Sequence, residues 1–320
     1  MLKFQYEWVA IQIVLFLITA VPGMAAGRQA SVCAVVARVL KGGSHLSAGK
    51  LICMGEKVQS QAQVLCFVSG RVKEIGAGQV VSQVSGCNAP PRQTQNIRRC
   101  GPQEIYLCVR PKGSFDPTLA LRLTTPIGRV VATTTPTFAW RPTPSAHHYL
   151  IQVEGPGIQW QQQTSSPTLE YPQTRSPLRY GQAYRVTISA YDAQQKLMGA
   201  RQSVVNVLSQ NTIREMQQTL AQLETLAIYE DEKVVLDQTS VYLANGLLDS
   251  AISVLQQRVR AGSQDATLHR VLADCYLSAG MPQLAKLYYE NAIQLAKRES
   301  NLEVLHQAQF GLAEIAAERY

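Results

Sequence analysis

Ser47 stands three residues before Lys50, a spacing at which a lysine amine can activate a serine nucleophile. That chemistry needs a Ser-Asp-Asn or Lys-Thr-Gly companion, and the chain has neither. The pair also falls in a glycine-rich turn between strands, whereas such a nucleophile should open a helix. Residues 43–50 carry the glycine and lysine of a phosphate-cradling loop, but the spacing is one residue off. Leu51 also stands where a hydroxyl would hold magnesium. His147 and His148 are adjacent; neighbours on a strand point to opposite faces, so the two do not converge on one metal. No Gly-x-Ser-x-Gly, His-Glu-x-x-His or Cys-x-x-Cys occurs. These patterns predict a protein that is not an enzyme, with no cofactor and no metal site.

Six of the seven cysteines (Cys33, Cys53, Cys66, Cys87, Cys100 and Cys108) lie in one block, and Cys275 stands apart. An even cluster in an exported chain reads as up to three disulfides of undetermined connectivity. Export is expected from the N-terminus. Lys3 precedes an apolar run over residues 8–21, Pro22-Gly23 breaks it, and residues 24–27 are small enough for cleavage. The run is shorter than the roughly 20 residues of a spanning helix, which favours a cleaved signal peptide over residues 1–26 above a retained anchor. The expected location is periplasmic or secreted.

The net charge of +8 is unevenly spread. Residues 28–112 hold 12 Lys/Arg against 3 Asp/Glu (+9), residues 113–208 hold 8 against 4 (+4), and residues 209–320 hold 9 against 14 (−5). A basic front and an acidic rear imply separate partners, or an attraction within or between chains. For an exported protein the anionic partner is an envelope polymer or lipid head group rather than nucleic acid.

Near the C-terminus the chain repeats itself at 34 residues. Tyr242-Leu243-Ala244-Asn245-Gly246 aligns with Tyr276-Leu277-Ser278-Ala279-Gly280, and Ala251 and Leu255 with Ala285 and Tyr289. Small residues let antiparallel helices cross closely while aromatics fill the gaps beside them. The period and these slots resemble the tetratricopeptide repeat. The pattern is departed from at Val235 and His269, at Ser263 and Lys297, and at Gln238 and Thr239. The resemblance implies repeats at 232–265 and 266–299. A capping helix carrying Ile213, Met216, Leu220, Leu223 and Leu226 would precede them, and a last helix from about 302 to 318 would follow.

Residues 30–110 read as short strands with glycine at the bends. Their pattern of Gly49, Leu51, Gly55-Glu56, Val58, Val64, Gly70, Ile75 and Ala77-Gly78 loosely resembles the FecR-type periplasmic domain. Cysteines are not part of that family's pattern and no anti-sigma segment is present, so iron signalling is not implied. Residues 123–208 resemble a fibronectin type III or immunoglobulin-like sandwich. Trp140 would be the core tryptophan of one strand, residues 149–153 alternate as the next, and Leu178 and Tyr184 resemble a tyrosine corner.

The expected fold class is therefore multidomain: an all-β, disulfide-containing domain over 30–112, a β-sandwich over 120–208, and an all-α tetratricopeptide-type domain over 211–320. The combination resembles envelope proteins of cyanobacteria. It implies an exported, non-catalytic protein-binding adaptor acting through a short groove. Mapping the family's groove slots gives Lys233, Leu236, Ser240, Leu243, Arg270, Asp274, Leu277, Phe310 and Glu314, a lining for a peptide with apolar anchors. The alternative for these apolar positions is contact with a capping helix or a homo-oligomer partner. The alternative functions are an envelope carbohydrate or peptidoglycan binder, with the basic N-terminal domain on an anionic polymer, and a FecR-like sensor subunit.

Overall fold

The apolar run that opens the described chain forms β1 (Val35–Lys41), and it is buried on both faces rather than one. A half-exposed strand alternates; a strand covered on both sides reads as a continuous apolar run. β1 lies inside a four-stranded antiparallel sheet of order β2-β1-β3-β4, with β2 (Leu51–Cys53), β3 (Ala62–Cys66) and β4 (Arg71–Ile75). One face packs its own core from Val36, Val39, Ile52, Val64 and Ile75. On the other, Leu40, Leu65 and Phe67 share a core with Met216, Leu223, Val241 and Leu247 of the helical region. Cys66 at the end of β3 is bonded to Cys87, and Cys33 and Cys53 are likewise disulfide-bonded. The computed structural model describes residues 33–43, 45–89 and 121–317. The expected signal peptide, the loop around Pro90-Pro91, and Cys100 and Cys108 lie outside the described residues.

The middle of the chain forms two sheets. β5 (Leu123–Thr125), β7 (Thr137–Trp140) and β10 (Thr168–Glu170) make a three-stranded sheet of order β10-β7-β5. β6 (Val130–Val131), β8 (His148–Gly155), β9 (Ile158–Thr164), β11 (Ala183–Tyr191) and β12 (Leu197–Val207) make a five-stranded sheet of order β6-β12-β11-β8-β9. Inward residues of both sheets, among them Phe138, Trp140, Tyr149, Ile151, Trp160, Tyr184 and Ile188, form one core. The Trp140 ring meets Tyr149 edge-on at 5.3 Å, and Trp160 stacks on Tyr171 at 5.3 Å. Such phenols are kept dry only where the hydroxyl has a partner. Tyr184 Oη accepts the Arg179 amide at 2.8 Å, and Tyr149 Oη accepts that of Thr143 at 3.0 Å.

Helices follow. α1 (Gln210–Glu224) starts from Ser209, whose hydroxyl accepts the Thr212 amide at 3.1 Å. α2 (Glu230–Glu232) runs through a π-helical segment, Lys233–Gln238, into α3 (Thr239–Ala244). α4 (Leu248–Arg260), α5 (Ala266–Ser278), α6 (Pro282–Glu299) and α7 (Leu302–Ala317) complete the chain. Ala273, Ala285 and Ala292 are fully buried at the helix crossings, and a Cβ on Gly311 of α7 would lie 2.3 Å from the Tyr289 ring of α6.

This corrects the expected fold class. The chain is a mixed α/β fold in which sheets are followed by a compact helical bundle, not a repeat stack appended to separate β modules. Ala34–Tyr320 forms one compact unit. Two features break the repeat. The first hairpin begins with a three-residue helix and a π segment where the second has a regular 13-residue helix. The return helices also differ in length, 13 residues in α4 against 18 in α6. The 34-residue similarity instead encodes one turn used twice. Gly246 and Gly280 both sit at positive φ (75° and 68°) after a helix end. The next amide then returns to the tyrosine carbonyl, Leu247 to Tyr242 and Met281 to Tyr276, each at 2.9 Å.

Both turns meet the strands of the middle region. A Cβ on Gly128, in the β5–β6 loop, would lie 2.5 Å from the Gly246 carbonyl oxygen, and one on Gly246 would lie 3.1 Å from Val130. Gly128→Ala is therefore expected to lower stability by about 1–3 kcal/mol in urea unfolding, the usual cost of overpacking. Gly199→Ala, whose Cβ meets nothing within 4 Å, should leave the transition in place.

Candidate functional site: the helical face and its buried charges

The nine residues expected to line a groove are distributed over three environments. Lys233 is buried, with its amine 3.1 Å from both Glu224 Oε2 and Glu230 Oε2. Burial opposes its charge, but the two carboxylates outweigh that and raise its pKa. Leu236 is packed against both the helical core and the core shared with the N-terminal sheet, and Leu243 against the helical core. Ser240 is buried. Its carbonyl oxygen, Val241 and Ala244 crowd Gly70 in the turn between β3 and β4, where a Cβ would lie 2.8 Å from that of Ala244. The side of α3 bearing Val241 and Ala244 is thus covered by this chain's own sheet.

Arg270 and Asp274 form an internal network. The Arg270 Nη1 donates to Asp274 Oδ2, and Tyr289 Oη donates to Asp274 Oδ1 at 2.5 Å. Burial raises the Asp274 pKa, Arg270 and Tyr289 oppose that rise, and the Glu314 charge adds to it. Burial likewise pushes the Tyr289 phenol and the Cys275 thiol upward, so neither is a ready nucleophile. Leu277 is partly buried against the helical core, Glu314 is half-buried and Phe310 is exposed.

The strongest polar feature lies where the sequence reading placed no site. Arg38, in the middle of β1, is 1% exposed. Its Nε donates to Asp237 Oδ1 at 2.7 Å, its Nη2 to Glu232 Oε1 at 2.6 Å, and its Nη1 to the Gly49 carbonyl at 2.7 Å. Asp237 is fully buried on the π segment, and among the described residues its Oδ2 has no hydrogen-bond partner. Burial pushes the Asp237 carboxyl up to about 6 despite the opposing pull of Arg38. The π segment has its own support, since Thr239 Oγ1 donates to the Val234 carbonyl, five residues back, at 2.6 Å. A second buried acid, Asp231, accepts from Arg258 Nε at 2.6 Å and from the Ser263 hydroxyl at 2.8 Å, tying α2 to the end of α4 and the turn after it. The available signal for the main pair was one charge inside each of two apolar runs, Arg38 within 35–40 and Asp237 after 234–236.

Basic residues of the N-terminal sheet are thus partly spent within the molecule. Arg38 is paired as above, Lys50 with Glu56 at 2.6 Å, and Arg71 with Glu215 of α1 at 3.5 Å. Among the described residues no group of three or more His, Cys, Asp or Glu is placed to hold a metal. No helix there is long and apolar enough to cross a membrane. The disulfides indicate an oxidising extracellular or periplasmic environment.

No protein-family model matches the chain, and no curated protein matches it. Among solved structures it shows similarity to Astrotactin-2, a conserved vertebrate-specific and perforin-like membrane protein involved in neuronal development. The identity is 12%, over 54% of this chain and 35% of that one, at a TM-score of 0.19. The chain therefore spans about a third of the length of that protein, and a likeness this slight carries no argument about fold or function.

Removing one partner of a buried pair strands the other. Asp237→Ala should cost about 3–5 kcal/mol in urea unfolding, and Arg38→Met with Asp237→Leu should recover most of it. The raised Asp237 pKa has a defined sign. The folded chain binds a proton more tightly than the unfolded chain, whose carboxyl titrates near 3.8, so this group favours folding most below that value. Its contribution then falls as pH rises to about 6 and stays constant above. The stability difference between wild type and Asp237→Asn, measured from pH 4 to 7, should shift against the wild type across that window.

Proposed function

We propose that this protein is an exported, non-catalytic binding protein that works as a scaffold, presenting the outer face of its last two helices to a protein partner. The observation that carries this reading is the distribution of exposed large apolar side chains. Leu284 and Leu287 on α6 and Leu302 and Phe310 on α7 are 40%, 49%, 66% and 38% exposed. Leu284 and Leu287 stand one turn apart and so share a face. Lys286 and Glu290, an i,i+4 pair on the same helix, supply flanking polarity. Apolar anchors with charged neighbours are the usual composition of a protein-recognition patch.

The internal packing supports a rigid scaffold. Arg38 and Asp237 join the first sheet to the helical bundle, and Arg122, ahead of β5, donates to the Ala279 and Gly280 carbonyls at the end of α5. A second reading, recognition of an anionic envelope ligand, is favoured by the arginines gathered around Arg122.

The test uses the full mature chain. Immobilised wild type is expected to retain an envelope protein that Leu284→Glu/Leu287→Glu releases, while the melting temperature changes by no more than about 2 °C, as for surface substitutions. Equal capture by both proteins would remove the face from consideration, and concentration-dependent dimerisation lost in the variant would identify a second copy as the partner.

A further inference from the structure

The open side of the paired sheets holds a cavity of about 370 Å³. Its position follows from strand lengths. β5 is the edge of the three-stranded sheet. β6 pairs with β12 only at Asn206 and Val207, so among the described residues the preceding part of β12 has no strand beside it on that flank. Ala200–Ser203 of β12 therefore face the β5–β6 loop across a gap.

Arg122, Arg129 and Arg201 line that gap, and the described lining residues include no Asp or Glu; Asp249 is engaged with the amide of the lining residue Ile127, which its Oδ2 accepts at 2.8 Å. Gln202 and Ser203 supply neutral polar groups, and Ile127 is part of an apolar wall. Arg122 is half-buried and fixed, its Nη1 and Nη2 donating to the Gly280 and Ala279 carbonyls. Those carbonyls are the negative end of α5 and offset part of its charge. Arg129 and Arg201 are exposed, and among the described residues neither has an ion-pair partner. Arg129 is held at φ +57°, a left-handed conformation that a residue with a side chain seldom adopts, closing the turn on the Pro126 carbonyl at 3.3 Å. Arg141 stands close by, its amide donating to the Arg122 carbonyl at 2.8 Å. Burial, and then the like charges of Arg129, Arg141 and Arg201, lower the Arg122 pKa, which marks the four as electrically convergent.

We propose that this cavity is a binding site for a multiply charged oxyanion, a phosphate or a polycarboxylate, clasped by Arg129 and Arg201 against the fixed charge of Arg122. Guanidinium forks bind such groups through paired hydrogen bonds that lysines do not match. The volume is at the lower end for small-ligand sites, enough for the anionic group and an adjoining ring or short chain. The anion would relieve the repulsion among the arginines. The ligand is either a free small molecule or the pendant group of an anionic polymer; the site chemistry is common to both. It does not depend on the α6–α7 face.

Full-length protein is titrated calorimetrically with inorganic phosphate, with citrate and with long-chain polyphosphate, at ionic strength matched by sodium chloride. Two variants accompany it. Arg129→Asn/Arg201→Gln removes both clasping groups, Asn being tolerant of the left-handed conformation. Arg175→Gln removes an exposed arginine outside the cavity. The expected result is saturable binding of phosphate or citrate, weakened at least about tenfold in the double variant and unchanged in Arg175→Gln, tenfold being 1.4 kcal/mol. Polyphosphate bound more tightly than phosphate, and lost in the same variant, would identify a polymer as the source of the group. Polymer binding weakened equally by Arg175→Gln, or no saturable binding of any of the three anions, would overturn the site.

Discussion

A guanidinium removed from water needs counter-charge and hydrogen-bond acceptors in fixed positions, and Arg38 is given both by parts of the chain far from it in sequence. Its strand supplies none of the carboxylates; Glu232 and Asp237 come from the helical bundle. Everything between must be arranged so that these groups meet. The π segment carries the buried Asp237, α1 and α3 cover the sheet with an apolar face, and Phe67 and Leu65 belong to the core they share. A buried pair is a poor source of net stability but a strong selector among alternative arrangements, because any other docking leaves a bare charge. The same logic is repeated at smaller scale by Asp231 with Arg258, and by Asp249, whose Oδ2 accepts the Ile127 amide at 2.8 Å.

The uneven charge along the sequence is explained by this arrangement. A basic front and an acidic rear admitted separate partners or mutual attraction, and in the described residues part of that asymmetry is neutralised within the molecule. Arg38 and Arg71 from the sheet meet Glu232, Asp237 and Glu215 from the helices. In the middle region, Arg129, Arg141 and Arg201 add like charge around the half-buried Arg122.

Legibility varied with how local the controlling physics is. The strands bearing Trp140, Tyr149 and Tyr184 are readable because alternation of apolar and polar residues has a period of two and aromatic side chains mark the inward face. The helix-end turns at Gly246 and Gly280 are readable because a left-handed residue needs glycine, and their 34-residue spacing is real. The spacing nevertheless misled about architecture, since two similar turns do not require two similar hairpins. The signs to the contrary were already at Gln238 and Thr239, and Thr239 is the residue whose hydroxyl donates to the Val234 carbonyl beside the π turn. The expected groove residues lie in different surroundings: Arg270 and Asp274 are held by Tyr289 within the bundle, while Leu236 and the Ser240 carbonyl also meet the first sheet, a long-range docking that no periodicity records; Arg38 and Asp237 are 199 residues apart. The arginine cluster was illegible for the same reason, its members being scattered between 122 and 201 and joined only when β5 and β12 come side by side.

The sequence distance between Arg38 and Asp237 also bears on how the molecule comes into being. The first sheet leaves the ribosome long before its counter-charges exist, so through most of synthesis β1 holds a cation that no local structure can neutralise. The sheet can pair its strands early, but its helix-facing side stays wet and unfinished until Glu232 and Asp237, nearly 200 residues later, have emerged. Completion is thus a long-range event, the kind of topology that folds slowly and leaves apolar strand surface open to wrong partners in the interval.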